Sequence, residues 1–448
     1  AARADAFVTG ASMISRRSFL RVSAASAAAA ASLPSLCEAQ DDAPPQLPAP
    51  IAALPSFVGR VQPISNEERL SRIERAKQLM AAHKMDAILL ANDATSSLYF
   101  ANISLNGGER LWALVIPAKG KPFVVCPAFE NARAHELLES GPFGTDADVL
   151  TWQEDESPFV LTVKGLRDRG IATGRVGLDE EMKFVFANSL AQSGPALTFV
   201  VATPVTGGCR MIKDAHEVEC IRTACAATLA VYKAVYESLR EGMTNLDVER
   251  LVDEGYKQVG LPGDATLNIG TYTANPHGSR SVQTIREGTI LMIDDGCRVE
   301  GYSSDITRTF VLGKPSDKMK KVFDIVHQAQ QAALKAARPG VELASVDAAA
   351  RQVIVDAGYG PGFKYFSHRV GHGLGMDGHE WQYLVKNDMF GWELHPHMQA
   401  NMVFSDEPGI YIPGEFGVRL EDDMHVGENG AELLTPASPS LDDPFANA

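Results

Sequence analysis

Five stretches in the second half of this 448-residue chain concentrate side chains that hold metal ions or move protons. They are Asn275-Pro276-His277-Gly278; Asp294 with Asp305; His368-Arg369-Val370-Gly371-His372-Gly373-Leu374-Gly375, with His379 just beyond; Asp406-Glu407-Pro408-Gly409; and Arg419-Leu420-Glu421-Asp422-Asp423. Singly, each has a bland explanation: a histidine beside glycines is an ordinary loop residue, and an acid run such as Glu421-Asp422-Asp423 is usually a solvated face. Jointly they form a carboxylate-rich set with an imidazole, which suits a pair of borderline-hard divalent cations such as Mn2+, Co2+, Fe2+ or Zn2+. Carboxylates can bridge two such ions roughly 3.5–4 Å apart and balance their charge, leaving a bound water acidified toward hydroxide. Further neutral imidazoles could hold a substrate carbonyl or shuttle a proton.

The two aspartates stand at the far ends of what reads as a β-hairpin. An apolar run from Thr289 to Ile293 leads into Asp294, a turn lies at Glu300-Gly301-Tyr302, and a β-branched run from Ile306 to Val311 follows Asp305. Carboxylates flanked by apolar strand residues are expensive to bury unless cations or metals meet them. The glycines at 371, 373 and 375 let backbone pass close to the site. His379, seven residues beyond His372, lies two turns along if the stretch is helical and on an opposing loop wall if it is not.

Around this set the chain divides. Residues 67–206 alternate helical and strand patterns, beginning with Leu70, Ile73, Ala76, Leu79 and Met80 at helical spacing. Strands follow at 86–91, 111–116 and 122–126, a helix at 131–138, and strands near Val149, at 176–178 and at 199–202. This pattern indicates an α/β domain of ordinary size. A boundary is expected near Gly207-Gly208. A long amphipathic helix is then expected to start at Arg210, with Val218, Ile221, Cys225 and Leu229 on one face. Further helices are expected at 245–259, 318–336 and 343–357, with strands between and after them. The second domain is placed at 207–437 and a tail at 438–448, giving an α/β (α+β) class.

Composition bounds the rest. With 45% hydrophobic and 22% charged residues the chain is an ordinary globular protein, long enough for two cored domains. Its formal net charge of −15 argues against nucleic acid as a partner. Ser15-Arg16-Arg17-Ser18-Phe19-Leu20-Arg21, before the Ala-rich run from Val22 to Ala31, has the order of a twin-arginine export signal, with Cys37-Glu38-Ala39 as its cleavage site. Residues 1–39 are therefore assigned to upstream sequence and signal, and a periplasmic or extracellular destination is expected. That run is too short and mildly apolar for a stable membrane span. Residues 40–66, rich in Pro and Ala, read as a linker or an arm laid over the surface. The six cysteines lack C-x-x-C spacing and are read as small packing residues rather than a disulfide framework.

The set D-x-G…GY-x-SD-x-TRTF, H-x-x-GHG-x-G…HE, EPG-x-Y and R-x-E resembles the pita-bread metallopeptidases, the family of methionine aminopeptidase, aminopeptidase P and prolidase. The resemblance covers nearly all of residues 67–437. The RMIK…HEVECIR stretch and the α/β domain before it resemble the two-domain branch that holds Xaa-Pro peptidases and creatinase. It implies a creatinase-like N-terminal domain, a pita-bread catalytic domain, and two divalent metal ions, Mn2+ first among them. Carried over by position, Asp294 would chelate one metal, Asp305 and Glu421 would bridge both, and His372 and Glu407 would hold the other. Glu407 would also act as general base. His277, His368 and His379 would position substrate and relay protons, and Arg419 would clamp a ligand carboxylate.

The implied reaction is hydrolysis of Xaa-Pro bonds in dipeptides or at the N-terminus of short peptides, by a homodimer. Two departures stand out. Glu380 is followed by Trp381-Gln382 where relatives often read H-E-x-P, which loosens the expectation of a strict Pro preference. Asp406, where relatives often carry an apolar or hydroxyl residue, is expected to be solvated or paired with Arg419 or a lysine. The same fold also admits creatinase-like cleavage of an amidino C–N bond, hydrolysis of another amide or a phosphotriester, and a non-catalytic binding module. The intact ligand set argues against the metal-free members of that group.

Overall fold

The computed structural model describes residues 47–92, 94–104, 107–386 and 397–446; the expected twin-arginine signal and its expected cleavage site lie outside them. Strands β1 (Ala87–Ala91), β2 (Ala113–Pro117) and β3 (Phe123–Pro127) are buried at every position, so both faces of their sheet must be covered. With β4 (Asp148–Trp152), β5 (Gly174–Leu178) and β6 (Leu197–Val201) they form a six-stranded mixed sheet of order β4-β3-β2-β1-β5-β6. On one face Ile73, Ala76 and Met80 of the helix Asn66–Ala82 pack on Ile88 and Leu90. On the other, Leu166 and Leu190 from two further helices pack on Leu89 and Val176.

The expected boundary residues Gly207 and Gly208 lie inside a helix, Thr203–Arg210. The long helix begins not at Arg210 but at Ala215 and runs to Ser238. The reason is a capping box: the Asp214 side chain accepts from Glu217 N while Glu217 accepts from Asp214 N, both at 2.8 Å. Arg210 and Lys213 therefore stay outside that helix and are free to reach elsewhere. Residues 48–66 form a packed arm, with Ile51, Phe57, Val61 and Ile64 buried against the helices Ala215–Ser238 and Asn245–Val259. The C-terminal residues are anchored too: Leu441 and Phe445 are buried, and Phe445 packs on Tyr236 and Phe310.

In the second half β7 (Thr266–Ile269), β8 (Ile290–Asp294) and β11 (Arg308–Val311) form an antiparallel sheet with β8 central. The hairpin is present, its outer part tightened by β9 (Arg298–Val299) against β10 (Tyr302–Ser303). Asp294 closes β8, and Asp305 lies in the link between β10 and β11. Five further strands run antiparallel: β12 (His372–Gly373), β13 (Glu380–Tyr383), β14 (Val403–Asp406) and, after the hairpin β15 (Gly409–Ile412)/β16 (Phe416–Arg419), β17 (Asp422–Gly427) and β18 (Gly430–Leu433). Asp406 pairs with Asp422 across β14 and β17, so Glu407 and Glu421 leave adjacent strands at one end. The helices Asp317–Ala336 and Leu343–Asp356 supply Val322, Val326, Ala350 and Ile354 to a core with Phe404, Val418 and Met424. Among the described residues no helix is long and apolar enough to cross a membrane.

The glycines of the histidine stretch serve close packing between strands. A Cβ on Gly371 would stand 2.0 Å from the carbonyl oxygen of Ser405, and one on Gly375 would meet the Glu380 carboxylate at 2.7 Å. Gly371→Ala should accordingly destabilise the chain by roughly 1–3 kcal/mol, as overpacking does. Thermal unfolding measures this, and an unchanged midpoint would mean that β14 can yield without cost.

Candidate metal centre

The ends of β8, β12 and β14, the link before β11 and the start of β17 meet around one cleft of about 470 Å³. It is lined by Asp294, Asp305, His372, Glu407 and Glu421, together with His277, His368, His379 and Arg419. One ligand atom from each of Asp294, Asp305 and Glu421 lies within 4.8 Å of the others, and the same holds for His372, Glu407 and Glu421, and for Asp305, His372 and His379. His372 Nε2 stands 3.4 Å from Glu407 and 3.7 Å from Asp305. Backbone contacts lock these positions across distant segments: Glu407 N donates to Val370 O, Glu421 N to Thr307 O, and Asp305 N to the Asp423 carboxylate.

Four carboxylates held this close repel one another. Burial, and then the neighbouring Asp294, push the Asp305 carboxyl well above its ordinary range. Glu421 is raised in the same way by burial and Asp305, and burial lifts Glu407 to about 7. Asp294 is the exception: burial would raise it, but the Arg419 guanidinium beside it holds it below the usual value. One buried arginine in contact with the set does not offset four acids. A donor set of this composition, strained by its own like charge, fits two divalent cations.

Arg419 is buried beside the set. It pairs with Asp294 and donates to Thr307 Oγ1 at 2.9 Å, Tyr411 OH at 2.9 Å and Pro276 O at 3.1 Å. The Thr307 hydroxyl sits between Asp294 and Glu421, 2.6 Å from the latter. His277 is exposed at the rim, carried by the loop that Arg419 ties down through Pro276. His368 is enclosed: Nδ1 lies 2.8 Å from Arg369 O and Nε2 lies 2.7 Å from Tyr411 OH. His379 is on a loop wall, its ring stacked 3.7 Å from that of His372. Desolvation lowers all three of His368, His372 and His379, and His368 falls to about 3.

The residues around the centre hold surprises. Asp406 is neither solvated nor paired with Arg419 or a lysine; it is fully buried with both carboxylate oxygens unpartnered, and burial beside Asp422 drives its pKa well up. Asp422 and Asp423 are no solvated face either. Asp422 meets Arg308 at 2.6 Å and Gln330 at 2.9 Å, while Asp423 accepts from Cys225 Sγ at 3.2 Å, giving that buried thiol a polar duty beyond packing. Their partners come from remote segments, so the acid run alone could not reveal them. Glu380, in the sequence no more than the second letter of the H-E pair, is a structural anchor. Burial would raise its carboxyl, but Arg210 and Lys213, from the segment between the domains, bring it down to about 2.

Comparison with known proteins finds relatives over both halves of the chain. The metallopeptidase family M24 model matches residues 219–428, and the creatinase/prolidase N-terminal domain model matches residues 72–212. The chain is 30% identical over 376 residues to the Xaa-Pro dipeptidase of Lactobacillus helveticus, covering 82% of this chain and 98% of that protein. The structure of dipeptidase PepE from Mycobacterium ulcerans aligns with a TM-score of 0.77 at 32% identity, over 85% of this chain and 99% of that one. Recombinant prolidase from Thermococcus sibiricus aligns with a TM-score of 0.73 at 28% identity, over 84% and 98%. On the strength of both domain matches, the chain belongs to the pita-bread metallopeptidases of family M24, with a creatinase/prolidase N-terminal domain ahead of the catalytic one.

Proposed function

We propose that this metallopeptidase hydrolyses Xaa-Pro bonds in dipeptides or at the N-terminus of short peptides, using two divalent ions held by Asp294, Asp305, His372, Glu407 and Glu421. The observation that carries the reading is the convergence of four carboxylates and an imidazole in one cleft, with one arginine, Arg419, paired to them. Bound there, divalent cations supply the charge that polarises a scissile carbonyl and acidifies water. Mn2+ is the first candidate for these oxygen-rich sites, ahead of Co2+, Fe2+ or Zn2+.

The chain's own groups supply the rest. Glu407, a carboxylate lining the cleft 3.4 Å from His372, can take a proton from the attacking water and return it to the leaving nitrogen. Arg419 and Thr307 orient Asp294 and Glu421. His379 and His277 face the cleft, where they can donate to the substrate carbonyl or its oxyanion. Phe363, 56% exposed, and Val385 give the cleft an apolar wall that suits a pyrrolidine ring. The names of the Lactobacillus and Thermococcus relatives point to the same substrate class.

Purified full chain loaded with Mn2+, Co2+ or Zn2+ should cleave Ala-Pro and lose that activity on chelation; no cleavage with any of the three would overturn the proposal. An active enzyme free of metal would instead favour a creatinase-like reaction. Asp305→Ala should reduce bound metal from about two ions per chain and abolish turnover, as metal analysis and an Ala-Pro assay would show. Arg419→Met should destabilise the metal-free chain by about 3–5 kcal/mol, because it strands buried Asp294 without its cation. Added Mn2+ should recover part of that loss in a urea titration, and a variant as stable as the parent would refute the clamp.

A further inference from the structure

His372 and His379 are two stacked imidazoles, 3.7 Å apart and 19° from parallel, with different neighbours at Nδ1. His372 Nδ1 lies 3.1 Å from Gly373 O. A carbonyl oxygen only accepts, so His372 carries its proton on Nδ1 and presents a lone pair at Nε2, the atom that faces Asp305 and Glu407. His379 Nδ1 lies 3.3 Å from Arg369 Nη2. A guanidinium only donates, so here Nδ1 must be the acceptor and the neutral ring carries its proton on Nε2. The two rings thus have opposite tautomers, and the difference comes from one residue.

We propose that Arg369 is a positioning residue that fixes His379 as an Nε2–H donor toward the cleft, and so keeps it from acting as a sixth metal ligand. Distance alone would not exclude His379 from the metal set, since it lies within ligand range of Asp305 and His372. A neutral imidazole whose Nδ1 lone pair is taken has no second lone pair to give a cation, but it has an N–H to give a developing oxyanion. Arg369 is itself held in place: its guanidinium lies 4.0 Å over the Tyr383 ring, and Tyr383 packs against Trp381 at 4.8 Å. Both aromatic residues belong to β13, the strand that follows His379, so donor and acceptor are carried on one framework. The wall is anchored in turn by Glu380, which receives Lys213 at 3.2 Å together with Arg210.

This inference rests on the proposed peptidase reaction for its kinetic consequence, while the tautomer can be read without turnover. In the Zn2+-loaded full chain labelled with 15N-histidine, long-range 1H–15N correlation should show His379 protonated at Nε2, its signals assigned by their loss in His379→Asn. Arg369→Met should free the Nδ1 lone pair, so that in the Zn2+-loaded chain an Nδ1–H form whose Nε2 lone pair is open to the metal appears, and should lower kcat on Ala-Pro about tenfold or more, with KM little changed, as loss of an oriented donor does. Arg369→Lys, which keeps a donor, should restore the Nε2–H signature and most of kcat. An Nδ1–H ring in the parent protein, or an unchanged tautomer in Arg369→Met, would overturn the assignment. So would a defect seen in KM alone and only for Ala-Pro, absent for Ala-Pro amide, since Arg369 would then serve to anchor a substrate carboxylate.

Discussion

Like charge held together by force is the condition on which this structure is built. Asp294, Asp305, Glu407 and Glu421 come from three strand ends and one link, and nothing in their own segments favours bringing them together. Their mutual repulsion, in a cleft that desolvates each of them, opposes the packing of the surrounding sheets. The structure answers with donors that reach the acids from behind. Arg419 holds Asp294, Thr307 holds Glu421, and Arg308, almost wholly buried, donates to the Glu421 carbonyl at 2.8 Å while pairing with Asp422. These contacts fix geometry without cancelling the charge. Cations that bind the folded centre are therefore coupled to stability as well as to chemistry, since they relieve a strain the unfolded chain does not have.

The same logic extends to the first domain and the segment that joins it to the second, whose contribution is mechanical. Thr95 donates to Asp377 at 2.7 Å, Trp381 Nε1 donates to Glu180 at 3.1 Å, and Arg210 bridges Asp377 and Glu380. Every one of these bonds lands on the wall that carries His379. Arg72 does likewise for the hairpin, donating at 3.0 Å to Tyr302, whose hydroxyl passes on to Glu217 at 2.7 Å. The Trp381-Gln382 stretch that departs from H-E-x-P falls within this seam, and the Trp381 indole, next to the departing Gln382, makes an interdomain hydrogen bond.

The sequence made the candidate ligand set visible because ligand chemistry restricts residue type, and the hairpin visible because an apolar run, a Gly turn and a β-branched run have few other solutions. It could not show what stands behind the ligands. Asp422 is buried because Arg308 and Gln330, far away along the chain, converge on it; Asp406 is buried with neither carboxylate oxygen hydrogen-bonded. An acid run looks the same on a solvated face. The start of the helix at Ala215 was hidden for a related reason: the amphipathic pattern continues back to Arg210, and only the reciprocal bonds of Asp214 and Glu217 decide where it stops. The twin-arginine motif belongs to a part of the chain that the described residues do not reach.

Three histidines of the cleft show how partners divide one side-chain chemistry into distinct roles. Desolvation depresses His368, His372 and His379, which favours the uncharged ring in each, and the behaviour of an uncharged ring is set by which nitrogen holds the proton. For His368 both nitrogens are engaged: Nδ1 donates to Arg369 O, and Nε2 accepts from Tyr411, whose oxygen in turn accepts from Arg419. That ring can support the clamp on Asp294 but has no free position for substrate. His372, protonated at Nδ1 by the same reasoning, turns a lone pair to the carboxylates. Arg369 touches two of these rings at once, accepting from His368 through its carbonyl and donating to His379 through its guanidinium. A single residue between two motif histidines thus ties the closed ring to the open one, which is a reason for an arginine at a position the ligand pattern leaves unspecified.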